Sequence, residues 1–276
     1  MKKVQITNLA VYGVFTIAAI LTLLPTAWAF ITSFKKPWDI MTEEPVFIFE
    51  PTIDNYLRAF FHPSYLFYEK IMNSVIVATS TTIICVALAC LAGYALTRFD
   101  FRGSSGIASW ILSIRMLPII AVLIPWFLIF NSLKLIDTYL ALIIPYMAFT
   151  LPFAVWMIRG FFLAIPRELD EAALTEGYSR LEILWKIILP LAKPGIIITA
   201  IFSEIFCWNE FQFALVLTRT HMTVPVGLAH FLQGYRIEWG PLFAATMVTA
   251  IPFIIVTIFL QKHIVRGLTL GAVTRY

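Results

Sequence analysis

Charged residues are scarce in this chain, and their scarcity sets the first limit on its class. Only 13% of the 276 residues are charged, whereas 60% are hydrophobic, and the mean hydropathy is +0.87. A soluble globular domain is about 45–50% apolar and about 25% charged, so this composition would expose too much apolar surface in water. The composition therefore excludes an ordinary soluble domain and favours a lipid environment.

Cysteine and histidine are also few, and the chain lacks one common phosphate-binding motif. Cys85, Cys90 and Cys207 all fall in apolar runs, so we expect them to pack as small hydrophobic side chains without a disulfide framework. The histidines show neither HExxH nor paired spacing, so no metal site is expected. The sequence has no G-x-x-x-x-G-K-[ST] loop and no Gly-Lys dipeptide, so we expect no ATP hydrolysis by that route and no cofactor on this chain.

Long apolar runs occupy most of the remaining sequence. A membrane-spanning helix needs about 20 apolar residues, and these runs lack the alternation that is typical of barrel strands. They predict an all-α membrane protein in which residues 1–276 form a single transmembrane domain. The six predicted spans are 9–33, 71–96, 106–131, 139–162, 195–217 and 241–262.

The first run follows Lys2 and Lys3 and ends near Ala27-Trp28-Ala29, as in a secretory signal peptide. A signal core has about 7–15 residues, and this run is much longer, which favours a retained span.

The distribution of lysine and arginine predicts the orientation. With the flanking Arg159 and Lys262 included, twelve of the twenty lie in the N-terminus, in 97–105, in the loop 163–194 and in the tail after 262, and seven lie in 34–70, 132–138 and 218–240. Because cytoplasmic loops carry an excess of Lys and Arg, both termini and the loop 163–194 should be cytoplasmic. The proline-rich, aromatic-rich segment 34–70 should then form an ordered cap on the outer side.

The loop 163–194 carries the signals of two short helices, 167–176 and 180–189. Pro166 suits a first helical turn, and Gly177 suits a left-handed C-terminal cap. Ser179 and Glu182 match a capping box. Pro190 should end the second helix, and Pro194 should open the fifth span.

Leu169, Ala172, Ala173 and Glu176 should share one face of the first helix. Two interpretations of this flat face stay open, which are docking of a partner protein and packing against the membrane end of the bundle.

A resemblance to a known family rests on these and other residues. The pattern Glu171-Ala172-Ala173-x3-Gly177-x9-Ile187-x-Leu189-Pro190 resembles the EAA loop of binding-protein-dependent ABC importer permeases. Further segments resemble the carbohydrate-importer, maltose-permease-like branch, and they are 135–139, Leu151-Pro152-Phe153, 159–162, Ile165-Pro166, 208–211 and 267–273.

The resemblance implies a type I ABC importer permease fold with six transmembrane helices and a cytoplasmic EAA coupling helix. Glu171, Ala172, Ala173 and Gly177 would couple this helix to a dimer of ATP-binding subunits, which would bind ATP and Mg. It also implies a second permease subunit, a periplasmic or lipid-anchored solute-binding protein, a sugar as solute, and a multi-pass location in the bacterial inner membrane. The tail 267–276 would reach the ATPase interface.

Polar residues within the spans are the candidates for the solute path, because ionisable groups are costly in lipid. They are Arg115, Glu204, Trp208, Asn209 and Glu210. Arg115 could instead extend to the cytoplasmic interface or pair with Glu204, and Glu204 could serve a structural pair. Asp137 is expected to cap the fourth helix.

Alternatives to sugar import also stay open. The same architecture could import another polar solute, such as a polyol or a glycerol phosphate conjugate, or the chain could be an ion-coupled secondary transporter. A membrane-embedded enzyme is disfavoured, because no paired carboxylates or nucleophile-base spacing lie at an interface. The aromatic residues of 34–70 and 219–240 suit either a landing surface for the binding protein or a membrane-interface belt.

Overall fold

The structure, a computed structural model, describes residues 2–232 and 237–255, with side chains described from residue 11 onward. Its helices are α1 (Lys2–Ser33), α2 (Pro37–Ile40), α3 (Asp54–Phe61), α4 (Phe67–Arg98), α5 (Ser104–Ser113), α6 (Ile119–Ser132), α7 (Leu140–Leu163), α8 (Glu168–Thr175), α9 (Arg180–Ile183), α10 (Leu189–Trp208), α11 (Gln212–Leu217), α12 (Val224–His230) and α13 (Trp239–Ile255). A 3₁₀ turn covers Ile114–Met116, and a π-helical segment covers Leu184–Ile188. No strand occurs within the described ranges.

Four of the described helices are long and apolar enough to cross a membrane, or up to five if a bent pair counts as one span. Contacts divide the described residues into two compact units, one of residues 2–68 with 227–232 and 237–254, and the other of residues 69–226 with Ile255. A single transmembrane domain over 1–276 remains a prediction.

In the first unit, the C-terminal end of α1 is held by a side chain of α3. The Asn55 Nδ2 atom donates to the carbonyl oxygens of Ser33 at 2.9 Å and Lys35 at 2.7 Å. Gly240 lies so close that a Cβ atom there would be 2.3 Å from Asn55 Oδ1. The predicted cap segment 34–70 is thus partly helical, and its helix α3 is tied to α1 by side-chain hydrogen bonds.

The second unit is built around the packing of α7 against α10. A Cβ atom on Gly195 would be 2.2 Å from the Phe161 ring, so only glycine lets these two helices approach this closely. One buried cluster joins residues of α4, α5, α7, α8, α9, the π-helical segment and α10, and it includes Tyr94, Ala108, Ile158, Phe162, Ala173, Ile183, Ile188 and Ala192. The loop helix α8 therefore shares a core with the membrane helices.

The predicted third span, 106–131, is not one straight helix. It consists of α5 with its 3₁₀ turn and of α6, and the two are bent by 87°. Leu117 and Pro118 between them are extended, with ψ of 126° at each. The bend follows because a proline disfavours helical geometry at the residue before it.

Two predictions about the fifth span were also wrong, namely that Pro190 ends the second short helix and that Pro194 opens the span 195–217. The helix that begins at Arg180 continues through the π-helical segment into α10 and ends at Trp208, so neither Pro190 nor Pro194 marks a boundary. Pro190 is the second residue of α10 and lies two positions after the end of the π-helical segment, where the change of hydrogen-bond register accommodates its missing N–H.

The other predicted spans agree with α1, α4 and α7 within a few residues at most ends, although α1 begins earlier, at Lys2. α13 lies where the sixth span, 241–262, was predicted. The remainder of that span and the tail 267–276 lie outside the described residues.

Candidate coupling surface and membrane cavity

The loop between α7 and α10 holds the first of the two predicted short helices as α8, while the second begins at Arg180 as predicted but continues into α10. α8 carries Glu168, Asp170 and Glu171 in its first turn, where negative charge is favourable at the helix N-terminus. At its C-terminal end, Gly177 has a φ of +91°. The Gly177 N–H donates to the Leu174 carbonyl and the Tyr178 N–H donates to the Ala173 carbonyl, both at 3.0 Å. These bonds form a Schellman motif, which confirms the predicted left-handed cap.

The second short helix begins with the predicted capping box. The Ser179 N–H donates to Glu182 Oε2 at 3.0 Å, and the Glu182 N–H donates to Ser179 Oγ at 3.3 Å. Lys186 Nζ donates to the other carboxylate oxygen of Glu182 at 2.8 Å. Gly177 and this capping box together define the turn between α8 and the helix that begins at Arg180.

The two faces of α8 differ in what they contact. Asp170 and Ala173 point inward and are only 3% and 5% exposed, and Ala173 belongs to the buried cluster. Glu171, Ala172 and Gly177 are exposed. Leu169 is 42% exposed although it lies outside the apolar spans. The predicted face of Leu169, Ala172, Ala173 and Glu176 is therefore divided. Ala173 packs in the core, as the packing interpretation expects, while Leu169, Ala172 and Glu176 are exposed and available to a partner.

A cavity of about 480 Å³ lies in the second unit, at the bend between α5 and α6 and beside α7, α10 and α11. Its polar lining includes Arg115, Asn209, Glu210, Gln212 and Tyr146. Its aromatic lining includes Phe149, Phe206, Phe211 and Phe213. Three of the five predicted solute-path residues, Arg115, Asn209 and Glu210, thus line one space.

Arg115 lies in the 3₁₀ turn where the third predicted span bends. Its guanidinium carbon lies 4.1 Å from the Phe206 ring centre and 4.8 Å from that of Phe153. No ion pair joins Arg115 to Glu204 or to another carboxylate of the described residues. The predicted alternative of an Arg115–Glu204 pair is therefore wrong, and the guanidinium is held by cation–π contacts at the cavity wall.

Glu210 and Asn209 form the break that ends α10. The Glu210 carboxylate accepts hydrogen bonds from the N–H groups of Phe213 at 3.0 Å and Ala214 at 3.4 Å, so it caps α11. Asn209 Nδ2 donates to the Ile205 carbonyl at 2.8 Å. This break also explains why the predicted fifth span, which extended to 217, stops early.

Glu204 and Trp208 are not part of the cavity wall. Glu204 lies on α10 and accepts a hydrogen bond from Thr79 Oγ1 of α4 at 3.2 Å. Trp208 is buried at the end of α10. The structure therefore separates these two candidates from Arg115, Asn209 and Glu210.

Asp137 does not cap α7, contrary to the prediction. Its φ is +63°. Its carboxylate accepts hydrogen bonds from the N–H groups of Arg219 and Thr220, both at 2.8 Å, and of His221 at 3.1 Å. Burial raises the pKa of this carboxyl, but these hydrogen bonds and that of the Thr220 hydroxyl outweigh it and hold the pKa below its ordinary value. Asp137 thus fixes the segment 219–221 to the α6–α7 loop.

Sequence reasoning missed the contacts of the inward face of α8. Asp170 forms an ion pair with Arg98, the last residue of α4, at 2.9 Å. In the sequence, Arg98 follows an apolar run, as an arginine at the membrane interface commonly does. Asp170 stands in the first turn of a predicted helix, where an acidic residue favours the helix dipole. No local signal shows that Arg98 and Asp170 meet, because they lie 72 positions apart in the sequence.

Known proteins share both the sequence pattern and the fold. Residues 68–270 match the family described as "Binding-protein-dependent transport system inner membrane component". Over 264 residues the chain is 38% identical to the trehalose/maltose transport system permease protein MalG of Thermococcus litoralis, with 92% of each chain covered. It is 37% identical over 255 residues to the trehalose transport system permease protein SugB of Mycobacterium tuberculosis, with 91% of this chain and 92% of that one covered.

Among solved structures, the chain is similar to one from a bacterial ABC transporter involved in the import of the acidic polysaccharide alginate. The TM-score is 0.77, with 95% of this chain and 98% of that chain covered. At 22% identity this likeness concerns the fold alone.

Proposed function

Because the chain belongs to the family of binding-protein-dependent transport system inner membrane components, we propose that this ABC importer permease subunit translocates a sugar or sugar derivative through the cavity beside Arg115. The family and the fold class predicted from the sequence are confirmed. One observation carries the proposal of solute contact. Arg115 and the adjacent residues Asn209 and Glu210, which are far from Arg115 in the sequence, line one cavity together with four phenylalanines.

The chemistry of this cavity supports a sugar. Its volume of about 480 Å³ lies within the range of about 300–1,000 Å³ that is typical of small-molecule sites. Asn209, Gln212 and Tyr146 offer donors and acceptors for hydroxyl groups, while Phe206 and Phe211 offer flat apolar surfaces for the C–H face of a pyranose ring. Two of the relatives are named as permeases of trehalose/maltose and trehalose transport systems, which also supports a sugar as the solute.

The exposed face of α8 supports coupling to a partner ATPase. Glu171, Ala172 and Gly177 are accessible, and Leu169 places apolar surface outside the spans, where a partner could bury it. We assign ATP and Mg to a dimer of ATP-binding subunits and no catalysis to this chain. Closure of that dimer would displace α8 and switch the spans between inward-facing and outward-facing states.

We infer the remaining partners from the family and the orientation from the distribution of charge. A solute-binding protein would deliver the sugar on the outer side, and a second permease subunit would complete the pathway. The bias of Lys and Arg supports cytoplasmic placement of both termini and of the loop 163–194. Glu204 and Trp208 remain candidates for contacts with the solute or with the second permease subunit.

Reconstitution tests this function directly. The chain should be purified in detergent with its bound subunits, placed in proteoliposomes with the binding protein, and assayed for ATP hydrolysis and uptake over a panel of sugars, polyols and glycerol phosphate conjugates. We expect that one sugar stimulates hydrolysis and accumulates only with ATP. Uptake that survives ATP depletion and stops when an ion gradient is collapsed would identify a secondary transporter, and preference for a polyol or glycerol phosphate conjugate would reassign the solute.

A further inference from the structure

Two arginines join the end of α4 to the start of α8. Arg98 closes α4, and its Nη2 atom donates to the Ile165 carbonyl just before α8 at 2.9 Å. Arg167 precedes α8, and its Nη2 atom donates to the Thr97 carbonyl of α4 at 2.7 Å. Each arginine therefore binds the backbone of the other segment, and the two contacts run in opposite directions.

An ion pair beneath these hydrogen bonds fixes α8 itself. Arg98 Nε lies 2.9 Å from Asp170 Oδ2, and the two side chains are only 2% and 4% exposed. A pair so well shielded from water is much less screened than a surface pair, and loss of either partner would leave an unpaired buried charge. The outer contact of Arg167 with Asp100 is exposed and adds little.

The position of Asp170 connects this ion pair with the surface of α8 that is proposed to bind the ATPase. Asp170 directly precedes Glu171 and Ala172, which form the exposed face of the same helix. A partner that displaces the exposed face of α8 can move the membrane helices only if the inward face of α8 is firmly attached to them. Ala173 supplies apolar packing there, and Asp170 supplies a buried ionic contact to Arg98 of α4.

α4 is also held near its other end. Asn73 Nδ2 donates to the Met222 carbonyl at 3.0 Å, and the Val224 N–H donates to Ser74 Oγ at 2.8 Å. From Ser74 to Arg98 the helix is continuous, which corresponds to about 36 Å at about 1.5 Å per residue. α4 therefore connects the attachment of α8 with the segment 222–224 as one rod.

We propose that Arg98, Asp170 and Arg167 form a clamp that makes α8 and α4 one rigid body, so that displacement of α8 reaches the segment 222–224 through α4. This inference rests on the proposed coupling role of α8. The three residues are positioning residues, because they act on the solute path through α4 and do not touch the solute.

The test measures uptake and ATP hydrolysis in the same proteoliposomes, with the complete transporter and its binding protein. For Asp170→Asn we expect an assembled complex that still hydrolyses ATP while the ratio of uptake to hydrolysis falls about tenfold, within the usual range of coupling between sites. The exchange variant Arg98→Asp with Asp170→Arg should recover part of that ratio, because it restores an ion pair between the same helices.

Two exposed arginines keep the test decisive if the buried variants do not assemble. Arg167→Ala removes the bond to the Thr97 carbonyl from a half-exposed position, so the protein should fold and the ratio should fall about threefold. Arg102→Ala is the matched control, since Arg102 lies exposed in the neighbouring link and makes no ion pair or hydrogen bond among the described residues. Its ratio should equal that of the wild type.

A wild-type ratio in Arg167→Ala and in any assembled Asp170→Asn complex would overturn the clamp, even if the amount of complex were lower. Failure of the proposed function has a different signature, because the wild-type chain would then lack an ATPase partner or would transport without ATP.

Discussion

Asp137, Glu210 and Arg115 are held by different kinds of neighbours, and those neighbours decide their roles. Asp137 and Glu210 accept backbone N–H groups and so fix turns and helix starts. Arg115 contacts two aromatic rings beside a cavity and pairs with no carboxylate of the described residues. A satisfied carboxylate organises the backbone, whereas a cation without an acidic partner is free to meet a ligand.

Asp137 makes the stability of the α6–α7 loop depend on pH. Its pKa is lowered in the folded state, so its contribution is complete above the ordinary Asp pKa of about 3.9 and is lost as pH falls below that value towards the folded pKa. At pH 7, Asp137→Asn should cost about 2 kcal/mol, because an amide accepts these charge-assisted hydrogen bonds less well. We expect a melting temperature about 5 °C lower in detergent.

The pH dependence distinguishes this explanation from a simple loss of packing. The difference in melting temperature between wild type and Asp137→Asn should shrink between pH 7 and pH 3. The control is Glu43→Gln, which alters an exposed carboxylate that makes no hydrogen bond among the described residues. A difference that stays constant over this range would show that the ionised carboxylate is not the stabilising species.

At the scale of helices, local signals predicted the loop between α7 and α10 well. Gly177 and the Ser179–Glu182 pair act through bonds to residues at most five positions away, so their effects can be read from the sequence. Pro118 and Pro190 have the same local chemistry as each other but opposite outcomes. A proline either bends a helix or is accommodated by a change of hydrogen-bond register, and packing against distant helices decides between the two outcomes.

The Arg98–Asp170 ion pair and the cavity lining could not be predicted in this way. Both depend on which faces of α4, α7, α8 and α10 meet, and that is set by close approaches such as Gly195 against Phe161. A spacing rule places a residue on a face of its own helix but does not identify the helix opposite.

Gly177 provides the test at the scale of the loop helices. Gly177→Ala meets no atom within 4 Å, so only the left-handed backbone opposes it, at a cost of roughly 1 kcal/mol. Gly177→Pro cannot adopt a φ of +91° and also loses the N–H that donates to the Leu174 carbonyl. We expect modestly reduced uptake for alanine and no uptake for proline, with membrane insertion intact in both, as measured by transport and by membrane fractionation. Normal uptake by the proline variant would argue against a coupling role for this turn.

At the scale of the whole molecule, the apolar surface and the distribution of charge determine how the chain lies in the membrane. From Val11 to Ser33, α1 is exposed along nearly all of its length, which suits contact with lipid or with a second permease subunit. Charge then selects the orientation, because Lys and Arg are favoured on the cytoplasmic side. The family match establishes an inner membrane component, while the side on which each loop lies remains a prediction.

Cysteine labelling tests this orientation with two conservative substitutions. Ser132→Cys lies at the exposed end of α6, in the loop 132–138 predicted to be outside. Ser105→Cys lies at the exposed start of α5, in the link 97–105 predicted to be cytoplasmic. In intact cells with a permeable outer envelope, a membrane-impermeant maleimide should label Ser132→Cys at once and Ser105→Cys only after the inner membrane is opened. The native Cys85, Cys90 and Cys207 are free but buried, so the wild-type chain should give little background. Labelling in the reverse order would invert the chain and place α8 on the outer side, where no ATP-driven partner could reach it.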